Sequence, residues 1–291
     1  MNLIRRVVVV TALAASVPSV AQVLDRVRDS GVVRIGYRED AIPFSASKAG
    51  RDPVGYSIDL CRAIVEDLSV ALGGKALRIE FRRVTPANRL DQVTSGRIDL
   101  ECGATTITEE RLKRVAFSPV IFIAGTRLLV KRGSALHSMR DLAGRTVVTV
   151  SATTNARAMV ALGAGQVRNL RVTNADSYDQ ALAMVDTGAA DALAADDVLI
   201  SGLLAERGLA DQYIRVGEPL SPEPYGIAFA RGDAELVDVV ITTFARLSAS
   251  REIRAIYAKW FVGPLPSGGR LGLPMHSDLE RSFRALGLPP E

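Results

Sequence analysis

Three arginines stand where a chain could present them to a small anion: Arg38, Arg89 and Arg111. Arg111 closes the run Gly103-Ala104-Thr105-Thr106-Ile107-Thr108-Glu109-Glu110-Arg111. Before it, Arg97 to Glu101 reads as a short buried strand that gives way to glycine and small hydroxyl residues. A strand end of that composition leaves backbone N–H and C=O groups reachable from a cleft. An arginine one short turn later can hold a carboxylate with a bidentate fork. That pairing suits the head group of a free amino acid. Arg38 follows Val32 to Gly36, which also reads as a strand, and ligands of open α/β sheets sit beyond the carboxyl ends of strands. Arg89 falls in the first turn of a helix expected to start with Thr85 as N-cap and Pro86 at N1. Guanidinium groups sharing a cleft repel one another unless an anion compensates. Three of them suit a ligand with two acidic groups. The ordinary place for a single arginine is the solvated surface, so the grouping has meaning only if all three face one gap.

Other element ends carry polar residues with two readings each. Ser151-Ala152-Thr153-Thr154 leads from a strand at Thr146 to Val150 into a helix running through Leu162. N–H groups and the positive helix end there can bind a carboxylate, and plain N-capping explains the same residues equally well. Asp196 follows the apolar run Ala190 to Ala195. It can pair with an ammonium group or cap the helix expected from Val198. Glu39, Asp40 and Glu101 are the carboxylates near the same strand ends, and a proton-donating enzyme would need one of them.

Composition narrows the classes. The chain has 291 residues, 48% hydrophobic and 23% charged, as an ordinary globular protein does. Its net charge is +4, its basic residues are scattered, and aromatics make up only 5%. A nucleic-acid surface needs a basic stripe or a stacking platform, so no nucleic-acid partner is expected. His137 and His276 are isolated and no Cys/His cluster exists, so neither a metal site nor a cofactor is expected. Cys61 falls on an expected helix and Cys102 at a strand end. Export permits a disulfide, but both can be small buried apolar residues, and free, buried thiols are the expectation. Met1 to Ala21 has a basic start at Arg5-Arg6, an apolar run from Val7 to Ala15 and small residues at Ser19-Val20-Ala21. That is the pattern of a cleaved signal peptide, with Gln22 first in the mature chain; an uncleaved anchor is the alternative. The mature protein is expected to be exported to the periplasm, soluble and monomeric.

The elements that must position these residues alternate along the chain. A strand from Val32, a helix from Ser57 to Leu72 ended by Gly73-Gly74, a strand from Leu77 to Phe81, the helix at Thr85 and the strand before Gly103 make a parallel α/β unit. Val120 to Ile123 and Arg127 to Lys131 flank Gly125 as two extended runs, as a hinge would. A second α/β unit follows, with strands at Thr146 to Val150, Val167 to Val172, Ala190 to Ala195 and Gln212 to Val216, and a helix capped by Asp176. The Pro-rich stretch Glu218 to Pro224 marks a return crossing, and helices from Glu235, Glu252 and Asp278 close the chain. The expected fold is a two-lobe α/β protein with a two-strand hinge. Residues 22–123 plus 222–291 form the first lobe and 124–221 the second, after the signal peptide at 1–21.

The blocks Glu101-Cys102-Gly103, Thr105-Thr106, Glu110-Arg111, Ala116-Phe117-Ser118 and Gly125-Thr126-Arg127-Leu128-Leu129 give the chain a resemblance to a known family. It is similar to the family 3 periplasmic solute-binding proteins, the amino-acid receptors of ABC importers, and most to their glutamate/aspartate-binding branch. The likeness runs over nearly the whole mature chain. It implies capture of an amino acid by clamshell closure and delivery to a membrane permease. It further implies that Arg111 and Thr106 hold the α-carboxylate, Asp196 the α-ammonium, and Arg38 and Arg89 the side-chain carboxylate. Thr153 and Thr154 would close over the ligand, and backbone near Gly103-Ala104 would join. The branch has serine where this chain has Pro86 and Ala104, and histidine where it has Asn174. Two hydroxyls and an imidazole are therefore missing from the implied shell, so a different small carboxylate is an alternative ligand. A dehydratase of prephenate- or arogenate-like acids on the same fold, or a detached sensor domain, are the alternative functions.

Overall fold

A computed structural model of the chain describes residues 23–48 and 50–290. The expected signal peptide, residues 1–21, lies outside the described residues.

In chain order the first half comprises α1 (Val23–Ser30), β1 (Val32–Tyr37), β2 (Asp40–Ala41), β3 (Ser45–Ala46), α2 (Tyr56–Ala71), β4 (Arg78–Arg83), α3 (Arg89–Thr94), β5 (Leu100–Glu101), α4 (Glu109–Leu112), β6 (Ala116–Phe117) and β7 (Phe122–Lys131). Then come a 3-10 turn at Met139–Leu142, β8 (Thr146–Val150), α5 (Thr154–Gly165), β9 (Arg171–Ala175), α6 (Tyr178–Asp186), β10 (Ala192–Asp196), α7 (Asp197–Arg207) and β11 (Tyr213–Val216). The chain closes with β12 (Pro222–Tyr225), β13 (Ala228–Phe229), α8 (Ala234–Ala249), α9 (Glu252–Phe261) and α10 (Ser277–Ala285).

Each lobe is built on one sheet. The first has strand order β4-β1-β5-β13-β6 and the second β11-β7-β10-β8-β9, with β12 paired to β7. β1 runs parallel to β4 and β5, and β8 parallel to β9 and β10, with the helices between them as crossover connections. β1 buries Val33 and Ile35, and α2 buries Ile58, Cys61, Ile64, Val65 and Leu68 along one face. That spacing, readable in the sequence, is the helical period packed on a sheet.

The crossing differs from expectation. β7 is one continuous strand through Gly125, not two runs broken there. Its first half pairs with β12, from Phe122 opposite Tyr225 to Gly125 opposite Pro222. Its second half joins the second sheet between β10 and β11. Gly125 serves close packing instead of a break: a β-carbon there would sit 2.7 Å from Pro219 Cβ. Beneath the crossing an aromatic cluster anchors it to the first lobe, with Phe122 stacked on Phe261 at 4.8 Å and Phe44 edge-on to Tyr225 at 5.0 Å.

Cys61 and Cys102 form a disulfide, which overturns the expectation of free thiols. Helix α2 lies over the end of β5 and brings the two Cα atoms to 6.4 Å, within reach of a bridge. Residues 41 apart in sequence give no hint of that. Three boundaries also move. The helix at Thr85 begins only at Arg89, because Thr85-Pro86 form a turn in which Thr85 N donates to Asn88 Oδ1 at 2.9 Å. Ser177, not Asp176, caps α6. The strand placed at Val167 to Val172 lies at Arg171–Ala175.

Candidate functional site

Arg38 leaves β1 beside a pinned backbone: its N–H donates to Ser45 Oγ at 2.8 Å, and Ser45 Oγ donates back to Arg38 O at 2.9 Å. Its Nε and Nη2 both donate to Asp40 Oδ1, at 3.0 and 2.6 Å. The guanidinium lies 5.9 Å from the ring centre of Tyr178, a residue of the second lobe. Asp40 Oδ2 accepts from the Tyr178 backbone N at 3.4 Å, at the first turn of α6. Gly103 makes room for this arrangement, since a β-carbon there would meet Glu101 Oε1 at 2.5 Å and Arg38 Cγ at 3.1 Å.

Arg89, at the start of α3, donates through Nη1 to Ala104 O at 3.0 Å, while its buried Nε has no partner. Arg111, on the short α4 capped by Thr108, donates through Nη1 to Thr106 O at 2.7 Å. All three arginines are buried, as are Glu101, Asp196 and Glu223. Burial lowers the pKa of Arg89, with Glu101 opposing and Arg38 reinforcing the shift. Burial, then the neighbouring Arg89 and Arg157, bring Arg111 down to about 10, against the pull of Glu101 and Glu223. Arg38 thus opposes the charge of Arg89, and Arg89 that of Arg111.

Asp196 follows the same logic from the second lobe. It occupies the N-cap position of α7 but makes no capping bond. Its Oδ1 accepts from Asn155 Nδ2 at 2.8 Å, and its Oδ2 from the Tyr225 hydroxyl. Burial raises its pKa to about 7; Glu223 adds to the rise, and the bonds from Tyr225 and Asn155 oppose it. Asn155 Nδ2 also donates to Thr126 Oγ1 at 2.8 Å. Glu223 accepts from Ser221 Oγ at 2.9 Å, and its Oε2 is buried without a partner. Glu101 accepts from Thr105 Oγ1 at 2.6 Å through Oε2, leaving Oε1 unpaired.

The hydroxyl residues separate. Thr153 Oγ1 donates to Val150 O at 2.7 Å and accepts from Ala156 N at 3.1 Å, so it serves as the cap of α5. Thr154 is free of that duty and faces Thr106 across the gap, their Oγ1 atoms 3.4 Å apart. Ala104 is buried and contributes its carbonyl. The structure does not bring Asn174 into the group. It is exposed on the edge strand β9, where its Oδ1 accepts from Thr149 Oγ1 at 2.9 Å. Glu39 pairs with Arg83 at 2.9 Å at the surface.

Tyr178, Tyr225, Asn155 and Glu223 join the group without any warning in sequence spacing. Tyr178 and Tyr225 are buried, and burial holds both phenols well above their usual pKa. Position gave one hint: Tyr225 follows the return crossing directly. Outside the buried group a cavity of about 630 Å³ opens beside Arg38 and Asp40, walled by Thr85 and Pro86 on one side and Ser177 and Leu203 on the other. Pro86 thus lies in the wall of the mouth. Lys48 and Glu206, which also line this cavity, pair across the lobes at 3.3 Å. Among the described residues no cluster of His, Cys, Asp and Glu could hold a metal ion, and no helix is long and apolar enough to cross a membrane.

A buried group of guanidiniums and carboxylates between two lobes can fix a small zwitterion at several points. Residues 33–263 match the family model of bacterial extracellular solute-binding proteins, family 3. The chain is 35% identical over 279 residues to an L-glutamate/L-aspartate-binding protein of Pseudomonas aeruginosa, covering 94% of this chain and 92% of that one. It is 33% identical over 273 residues to a glutamate/aspartate import solute-binding protein of Escherichia coli K12, covering 94% and 89%. Among solved structures, an ancestral arginine-binding protein bound to glutamine superposes with a TM-score of 0.70 at 29% identity, covering 80% of this chain and 98% of that one. An ancestral amino acid-binding protein described as a precursor of cyclohexadienyl dehydratase gives a TM-score of 0.70 at 26% identity, covering 82% and 99%. The two-lobe fold, the blocks around Gly103 and Gly125 and these matches place the chain in one family: it belongs to the family 3 bacterial extracellular solute-binding proteins.

Proposed function

We propose that this protein captures an acidic amino acid, glutamate or aspartate, between its lobes and delivers it to the membrane permease of an ABC importer. One observation carries the reading: Arg89 and Arg111 are buried, yet each donates only to a backbone carbonyl. Glu101 and Glu223 act on these groups only from beyond hydrogen-bond reach, and a buried guanidinium that hydrogen-bonds no carboxylate is incompletely compensated; two such groups fit the two carboxylates of an acidic amino acid. Arg111, with Thr106, takes the α-carboxylate. Asp196 takes the α-ammonium, and Arg89, beside Arg38, takes the side-chain carboxylate. Thr154 meets Thr106 from the other lobe as the gap closes.

The lobes comprise residues 22–123 plus 222–291 and 124–221, hinged at β7 and β12. Ligand admitted to the open form favours closure by its greater affinity for the closed one. The relatives named for glutamate and aspartate support this assignment, and a cleaved leader would send the chain to the periplasm. Calorimetric titration of the ligand-free mature protein with glutamate, aspartate, glutamine and simple dicarboxylates tests it. Micromolar or tighter binding of glutamate or aspartate is expected. No binding of any amino acid would overturn the reading.

The likeness to the dehydratase precursor favours a second reading, in which Glu101 or Asp40 donates a proton to a bound hydroxy acid. Turnover of prephenate- or arogenate-like acids by the purified protein would select it.

A further inference from the structure

Arg38 differs from its two neighbours. Arg89 and Arg111 donate to carbonyls, whereas Arg38 already holds a carboxylate of its own chain: Nε and Nη2 both rest on Asp40 Oδ1, at 3.0 and 2.6 Å. Asp40 is held from the other side as well, because its Oδ2 accepts from the first backbone N–H of α6 at 3.4 Å. The carboxylate is therefore held between Arg38 and the start of α6, in the wall of the cavity that opens beside the buried group and next to the arginine assigned to the ligand side chain.

The charge count makes that placement matter. Around the gap, three buried guanidiniums, Arg38, Arg89 and Arg111, face three buried acids, Glu101, Asp196 and Glu223. Asp40, with a side chain 23% exposed, is a fourth acid; Arg157, near Arg111 at the α-carboxylate end, is half exposed and pairs with Glu110 at 3.8 Å. An amino-acid head group adds no net charge to the set. A side-chain carboxylate would add another negative charge beside Asp40, with one of its two guanidiniums already neutralised. A carboxamide brings no charge. Its carbonyl can accept from Arg89, and its NH2 can donate to Asp40.

We propose that Asp40 sets the side-chain selectivity of the site, lowering its preference for a carboxylate so that the carboxamide amino acids, glutamine foremost, are accepted alongside the acidic ones. Selectivity is a difference of two affinities, and a fixed like charge reduces one of them selectively. The inference rests on the amino-acid reading above and concerns only the side-chain end of the ligand.

The test is calorimetric titration of the full mature chain with glutamate and with glutamine, above the pH of about 7 at which Asp196 ionises. Wild type is compared with Asp40→Asn, which keeps the acceptor for Arg38 and removes the charge, and with Asp40→Ser. In wild type the two dissociation constants should lie within about tenfold of each other. In both variants the ratio should move toward glutamate by about tenfold or more. A ratio that stays within about twofold of wild type, or moves toward glutamine, overturns the role of Asp40 while leaving the receptor reading intact. If wild type binds neither ligand, the amino-acid reading falls and this inference with it. Thermal unfolding of each variant, with and without ligand, confirms that the comparison is made between folded proteins.

Discussion

Gly202 of α7 rests directly on the carbonyl oxygen of Ile42: a β-carbon at Gly202 would come within 2.0 Å of it. The contact joins the second lobe to the turn that follows Arg38, and the oxygen belongs to backbone that cannot rotate away. Gly202→Ala should therefore hold the lobes apart without touching any proposed ligand contact. Ligand affinity should fall by about tenfold or more, because binding must then supply the closure that packing opposes. Small-angle scattering should show a ligand-saturated variant larger than ligand-saturated wild type. Equal dimensions and equal affinity would remove the contact from the closing mechanism.

Arg111→Ala should abolish amino-acid binding of every kind, since the α-carboxylate is common to all. Arg89→Ala should weaken glutamate and aspartate more than neutral amino acids. Truncating one member of a buried charge pair at an interface costs about 2–5 kcal/mol, so losses of that size are expected in the titration. Equal losses for acidic and neutral ligands would undo the assignment of Arg89 to the side-chain end.

Asp196 predicts a pH dependence whose sign is opposite to that of a paired carboxylate. Burial raises its pKa from 3.8 to about 7 in the folded state. Between those values the folded protein binds more protons than the unfolded one, so this group's contribution to stability falls as pH rises toward 7. The full loss is on the order of 4 kcal/mol. Comparing unfolding free energies of wild type and Asp196→Asn below and above that window isolates the contribution: the variant should lack the decline. A ligand ammonium favours the ionised form, so ligand should stabilise wild type more at the upper end of the window. An identical pH slope in the two proteins would contradict the burial argument.

The Cys61–Cys102 bridge closes a loop between residues 41 apart. Reduction, or Cys61→Ser with Cys102→Ser, should lower stability by about 2–4 kcal/mol. Both cysteines are buried and neither is a proposed ligand contact, so affinity at moderate temperature should change little. A denaturant titration with and without reductant measures the first effect, and calorimetry the second.

Much of this molecule is written in local pattern. The period of Ile58, Cys61, Ile64, Val65 and Leu68 marks a helix packed on a sheet. The run into Gly103 marks a strand end with reachable backbone, and Arg38, Arg89 and Arg111 could be named as one set because each stands at an element end. Those signals depend only on side-chain type and spacing, which the chain carries with it. Tertiary structure decided what those residues face. Tyr178 and Tyr225 enter the group because α6 and β12 reach it from distant parts of the chain, while Asn174, on an edge strand, turns to Thr149 and solvent. Thr153 becomes a cap and Thr154 a gap residue through the direction of one helix start. Cys61 meets Cys102 only once α2 is stacked on its sheet, and Asp40 meets Tyr178 only across the two lobes. Such pairings depend on distances between segments far apart in sequence, and no local period encodes them.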